Sequence, residues 1–252
     1  MKLPQLYDIF REKWEKYQSI FLISDTHFDD EELAAAGLNP LRRDSEEYLK
    51  VINSKIGKRD MMIHLGDVGN LDYIRRCRAE HKVLICGNHD AGASNYKRVV
   101  YSKKFNSDEY TKEEALAEMK KLHPNCKYYI EEGFQFVPPF THWYVEADNR
   151  LFDEVYEGPI MIGEKLILSH EPLGLDWAFN IHGHNHSLNA KNEKNCFNIC
   201  PDATGHFEPI SLKKIFEDGY MSGVKTVHRD TIDNATKRAR KRGHKLGKKM
   251  ES

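Results

Sequence analysis

The chain has 252 residues, 40% hydrophobic and 31% charged, with a formal net charge of -1. Such a length can bury a sizeable core in one large domain or two small ones, and the composition is that of a globular protein and excludes a disordered one. A net charge this close to zero also excludes a global pull toward nucleic acid or anionic membranes, so any such affinity has to be local.

The first eighteen residues are amphipathic and carry Asp8, Arg11, Glu12, Lys13, Glu15 and Lys16. They lack the apolar stretch of a signal peptide, and no later run approaches membrane-spanning length, so the expected location is the cytoplasm, with no membrane partner. The five cysteines (Cys77, Cys86, Cys126, Cys196, Cys200) are odd in number and irregularly spaced. They read as reduced packing residues, since Cys196 and Cys200 have no second pair to complete a zinc site.

In chain order, Leu6, Ile9, Phe10, Trp14 and Tyr17 share one face of a helix. The run Ser19 to Ser24 is expected to be the first buried strand, with Asp25-Thr26-His27 at its end. Residues i and i+2 of an extended chain point the same way, so Asp25 and His27 can ligate one metal. Arg42 and Arg43 follow an acidic loop and either hold phosphate through bidentate hydrogen bonds or sit solvated on the surface. A helix is predicted over Ser45 to Ile56, with Asp44 as its N-cap and Gly57 as its stop. Met61 to Leu65 reads as the second strand, ending in Gly66-Asp67, and His64 reads as a packing residue inside it. A short helix from Leu71 to Glu80 and a third strand from His81 to Cys86 complete a βαβαβ pattern, which implies parallel strands joined by right-handed crossovers.

The third strand stops at Gly87, read as a turn, and Asn88, His89 and Asp90 follow. Asn88 offers an oxygen ligand, His89 a proton, and Asp90 a means of orienting the imidazole, although an ordinary turn has the same composition. A helix is predicted over Lys112 to Leu122. The aromatic stretch from Gly133 to Tyr144, interrupted by Pro138-Pro139, reads as a hairpin packed on the core or as a lid or substrate platform. His142 has no ligand-like neighbour. Lys165 to Ser169 then reads as a strand delivering His170, and a second strand near Ala178 to Ile181 leads to Gly183-His184-Asn185-His186. His182 precedes the glycine and reads as the end of that strand. A strand over Asn195 to Cys200 and a helix starting at Ser211 follow. From Lys237 to Lys249 there are eight Lys/Arg and no acid, which makes a solvated tail or a grip on nucleic-acid backbones.

Asp25-x-His27, Gly66-Asp67, Gly87-Asn88-His89-Asp90, His170 and Gly183-His184-x-His186, in that order, resemble the five-part signature of the calcineurin-like metallophosphoesterase superfamily. The resemblance spans Ile20 to His186. It implies an α/β fold, a four-layer α/β/β/α sandwich of two mixed sheets. The expected organisation is a single domain over residues 1–222 with an aromatic insertion near 133–149, followed by a basic tail, partly helical, over 223–252.

The resemblance also implies two divalent transition-metal ions. Asp25, His27, Asp67 and His186 would hold the first, while Asn88, His170 and His184 would join a bridging Asp67 around the second. One carboxylate shared by two cations about 3.5–4 Å apart offsets their repulsion, and the pair generates a hydroxide near neutral pH that attacks phosphorus. His89, next to a ligand, is the expected general acid, with Asp90 holding its tautomer. Imidazole and oxygen donors without thiolate suit Mn first, and also Fe, Zn, Ni or Co. The expected activity is hydrolysis of a phosphate mono- or diester in a small-molecule or phosphorylated substrate. Two alternatives stand beside it: a nuclease that holds nucleic acid with the tail at 237–249, and a non-catalytic scaffold assembled by metal.

Overall fold

Period-two burial in three parallel strands organises the structure, a computed structural model that describes residues 3–36, 39–90, 93–187, 195–226, 235–238 and 240. Helix α1 (Asp8–Trp14) precedes β1 (Ile20–Ile23), helices α2 (Glu31–Ala35) and α3 (Ser45–Lys55) lead to β2 (Met61–His64), and α4 (Leu71–Arg76) leads to β3 (His81–Ile85). Successive side chains of a strand point to opposite faces, so one apolar run can serve two cores. Ile20, Leu22, Met61, Ile63, Val83 and Ile85 enter one cluster, whereas Ile23, Met62 and Leu84 enter another together with Tyr48, Leu49 and Ile52 of α3 and Tyr73 and Ile74 of α4. Helix α3 starts where expected, because the Asp44 carboxylate accepts from the Glu47 N–H at 2.9 Å. Helix α4 is shorter than expected. It stops at Arg76 because Cys77 is extended.

Strand β4 (Val100–Asn106), helix α5 (Lys112–Leu122), β5 (Lys127–Phe136) and β6 (Pro139–Asp148) come next. They form an antiparallel sheet in the order β4-β6-β5, with its own apolar cluster of Phe105, Ala115, Met119, Val145 and Ala147. The aromatic stretch is therefore a hairpin, but its tip is not packed on a core. Tyr128 and Ile130 lie against the α5 cluster, while Phe134 is 54% and Phe136 80% exposed. The alternation that suggested a half-buried strand continues past the part of the sheet that the helix covers.

The chain closes with β7 (Glu154–Tyr156), β8 (Ile160–Gly163), β9 (Leu166–Leu168), β10 (Phe179–His182), β11 (Cys196–Asn198), α6 (Pro201–Thr204), β12 (Ile210–Ser211) and α7 (Leu212–Glu217). The first sheet runs β12-β1-β2-β3-β7 and the second β11-β10-β9-β8. Within the first, β1, β2, β3 and β7 are parallel and β12 is antiparallel to β1. Leu166, Leu168, Phe179 and Ile181 of the second sheet share the cluster that holds Ile20, Met61 and Val83, so the two mixed sheets bury one core between them. Parallel strands of both sheets thus end near one another, and β1, β2, β3, β9 and β10 deliver the site residues from those ends. Among the described residues no helix is long and apolar enough to cross a membrane. The basic run from 237 to 249, apart from residues 237, 238 and 240, lies outside the described residues.

Candidate metal centre

The ends of β1, β2 and β10 carry their polar residues through strained turns. Asp25 (φ 48°), His27 (φ 42°), Asp67 (φ 58°) and His184 (φ 68°) all occupy the left-handed region. Such a conformation costs of order 1–3 kcal/mol per non-glycine residue and persists where surrounding structure enforces it, which is common at functional sites. Asp25 and His27 converge for that reason and not, as expected from sequence, as alternate residues of an extended strand. Gly87 has a different function from the turn expected of it. Its φ is not left-handed, and a Cβ there would overlap the Asp67 carboxylate; one at Gly183 would overlap that of Asp25. Both glycines let neighbouring strand ends approach closely enough to share ligands.

The side chains expected as ligands come together. Asp67 Oδ2 lies 3.5 Å from His27 Nε2 and 3.2 Å from His170 Nε2. Asn88 Oδ1 is 3.0 Å from both His170 Nε2 and His184 Nδ1, and these two nitrogens are 3.1 Å apart. His186 Nε2 lies 3.5 Å from Asp25 Oδ1, and the His184 N–H donates to that same oxygen at 2.9 Å. Two groups able to hold an ion, Asp25-His27-Asp67 and Asp67-His170-His184, share Asp67, and a third combines Asp25 with His186 and Cys200.

Several of these imidazoles have one nitrogen fixed and the other aimed into the cluster. His27 Nδ1 pairs with Asp30 at 3.0 Å, His170 Nδ1 meets the Leu65 carbonyl at 2.8 Å, and His186 Nδ1 meets Asp202 at 2.6 Å. Metal-binding histidines are oriented in this manner. Among the described residues His27 Nε2 is buried without a hydrogen-bond partner, its 3.5 Å approach to Asp67 being an ion-pair distance. A cation would satisfy that nitrogen, so the donors present fit a divalent metal.

Electrostatics agree. Burial alone would raise the Asp67 carboxyl, but the His170 and His27 imidazoles and the His89 backbone N–H hold it well below the usual carboxylate range. Burial alone would lower His27 and His170, yet Asp67 and Asp25 hold both above the ordinary histidine value. A raised histidine pKa means that protons compete with a metal for these nitrogens, so metal affinity should fall as pH falls.

His89 is exposed at the rim. Its backbone N–H donates to Asp67 Oδ1 at 2.9 Å, and its ring meets that of His27 edge-on, with centroids 5.3 Å apart. Asp90 does not orient that ring. Among the described residues, its carboxylate accepts instead from the backbone N–H groups of Gly87 (2.8 Å), Asp67 (2.8 Å) and Val68 (3.1 Å). It ties the loops after β2 and β3 together, so the expectation that it holds the His89 tautomer is corrected.

Sequence reasoning missed the supporting residues. Arg42 is neither a phosphate clamp nor solvated: it is buried, donates to Asp202 at 2.6 Å, and reaches the carbonyls of Asp25 (2.6 Å) and Thr26 (2.9 Å). Arg43 is exposed. Cys200 Sγ lies 3.5 Å from His186 Nδ1, the ring nitrogen that Asp202 already holds, and within reach of Asp25 too, so a thiol stands beside the oxygen and imidazole donors where a packing residue was expected. Burial pushes its thiol well above the ordinary range. His64 is buried and His182 finishes β10, with its Nδ1 2.8 Å from the Gly183 carbonyl. His142 is buried in β6.

Comparison with known proteins bears on this arrangement. A family model described as calcineurin-like phosphoesterase matches residues 19–202, more than half of the chain. No curated protein matches. Among solved structures, a protein of unknown function, AQ665 from Aquifex aeolicus, is 20% identical over 79% of this chain and 98% of its own, with a TM-score of 0.45. The span of the family match takes in every strand-end motif and the Asp202 that supports one of them, and the chain belongs to the calcineurin-like phosphoesterase family.

Proposed function

We propose that this chain is a phosphoesterase that works with two divalent metals and hydrolyses a phosphate mono- or diester. The observation that carries the reading is the position of Asp67, whose Oδ2 faces His27 on one side and His170 on the other. A carboxylate so placed can bridge two cations. Asp25, His27 and His186 would complete one site, and Asn88, His170 and His184 the other. Metals bound there would supply an activated water near neutral pH and neutralise charge on the phosphoryl oxygens.

The protein residues do the rest. Asp30, Leu65 and Asp202 orient the imidazoles of His27, His170 and His186, so their inward nitrogens meet a cation without rearrangement. His89 stands outside the ligand groups yet is anchored through its backbone to Asp67, so its ring can give a proton to the departing oxygen. Manganese comes first among the metals that suit imidazole and carboxylate donors, with Fe, Zn, Ni and Co behind it. A four-layer sandwich and action in the cytoplasm belong to the same reading. The two sheets sharing one core support the former, as do α3 and α4, which pack on the other face of the first sheet.

Nucleic acid as substrate would depend on the run at 237–249, so small esters are the substrates favoured here. An exposed His89 beside the cluster speaks for catalysis over a metal-assembled scaffold. The test is turnover of nitrophenyl phosphate and bis(nitrophenyl) phosphate by the manganese-loaded chain. Release of nitrophenolate that chelator abolishes and manganese restores is expected. No turnover with any of the five metals would overturn the reading.

A further inference from the structure

A second cluster of charge lies away from the metal centre, where the antiparallel sheet meets the starting edge of the first sheet. Lys82, the second residue of β3, marks this edge, while Asn88 follows the other end of the same strand. The rest of β3 and the three residues after it separate the two by up to roughly 20 Å. Here a cavity of about 370 Å³ opens, within the size range of small-ligand pockets.

Its charge is unbalanced. Three carboxylates line it, Glu80, Asp148 and Asp153, and the last two are already engaged by Arg98 at 2.6 and 2.8 Å, so the cations still outnumber the acids. Lys58, Arg78, Lys127 and Arg150 also line it, and among the described residues none of these four pairs with a carboxylate. Lys82, buried at 3% exposure, adds an ammonium that donates to the carbonyls of Ile74 (2.7 Å) and Arg150 (2.8 Å). Carbonyl dipoles compensate a buried cation less well than a counter-charge, and burial lowers the Lys82 ammonium to a pKa of about 8. Arg150 reaches this position through a left-handed backbone (φ 53°), strain that turns its carbonyl onto Lys82. At the rim, the ring of Tyr129 is 44% exposed, with the Lys127 ammonium 4.6 Å from its centroid.

We propose that this cavity is an anion site for a small ligand carrying phosphate groups, held by Lys58, Arg78, Lys127 and Arg150. Guanidinium and ammonium groups converging on a concave surface without carboxylate partners are what a multiply charged phosphate requires. The exposed face of Tyr129 suits a ligand that also carries a planar ring, such as a nucleoside diphosphate. A free diphosphate would use the cations alone.

The test is calorimetric titration of the metal-loaded full chain with methylenediphosphonate and, separately, with ADP, in wild type and in Lys58→Gln/Arg78→Gln. Both positions are exposed, so the fold should hold. Either probe is expected to lose one binding event, weakened at least about tenfold, which is about 1.4 kcal/mol, with metal content and nitrophenyl ester turnover unchanged. If ADP binds tighter than the diphosphonate and Tyr129→Ala removes the difference, the nucleotide form holds; equal affinities support the free diphosphate. Identical isotherms for wild type and the double variant would overturn the proposal. So would binding confined to single-stranded oligonucleotides and growing with their length, which would mark an extended surface and not a cavity.

Discussion

His64 donates from Nε2 to the Thr26 hydroxyl at 2.9 Å, joining the end of β2 to the turn that carries Asp25 and His27. The direction follows from its other nitrogen. Nδ1 accepts the Gly66 N–H at 3.1 Å, so the ring proton sits on Nε2, and Thr26 passes its own hydrogen to the Val68 carbonyl at 2.8 Å. Every polar atom in this buried chain is satisfied only while the imidazole is neutral.

Acid should therefore act through His64. Burial lowers its pKa to about 3, against an ordinary value near 6.5. Between those values the unfolded chain binds a proton that the folded chain refuses, so stability rises with pH and is lost as pH falls from about 6.5 toward 3. The slope for one proton is about 1.4 kcal/mol per pH unit. Chemical denaturation of metal-free wild type and His64→Leu across this window should show that much less dependence in the variant. Parallel curves would show that His64 is not the group that titrates.

The buried pair of Arg42 and Asp202 predicts a coupled defect. Asp202→Asn leaves the guanidinium without its counter-charge and should cost about 3–5 kcal/mol of stability. It also weakens the hold on His186 Nδ1, so metal affinity should fall roughly 10–100-fold. Thermal melts with and without manganese read both effects. A variant that loses stability but binds metal as before would separate Asp202 from the metal centre.

His89→Asn should leave metal content intact and slow turnover roughly 10²–10⁴-fold for an ester with a poor leaving group. The loss should shrink with nitrophenolate, which departs without a proton. Equal losses across leaving groups would indicate that His89 stabilises phosphoryl charge instead. Asp90→Asn should differ in kind. Its carboxylate gathers three backbone N–H groups, so the change should lower stability and metal affinity together.

The parts legible in the sequence are those that repeat a local rule. Three apolar runs each ended by glycine or a polar pair mark the parallel strands, and the ligand-type residues stand at their ends because only there do β1, β2 and β3 open toward a common edge. The Asp44 cap and the helix from Lys112 to Leu122 follow from local chemistry as well. The supporting contacts are not local. Thr26 and His64 are 38 residues apart, and Arg42 and Asp202 are 160 apart, so no spacing rule could join them. Nor does an Asp-x-His pattern reveal that its two residues take left-handed backbones. Adjacency misled in Asp90, which follows His89 but turns its carboxylate to the backbone, and alternation misled in Phe134 and Phe136, which lie beyond the cover of α5.

The bridging role proposed for Asp67 is most directly tested by metal content. Wild-type chain reconstituted with manganese and freed of excess metal should carry about two ions per chain, since one carboxylate serves both ligand groups. Asp67→Asn should weaken both ions together, so that titration shows no site of wild-type affinity. Wild-type occupancy below about one ion, or an Asp67→Asn protein that keeps one site at full strength, would contradict the account.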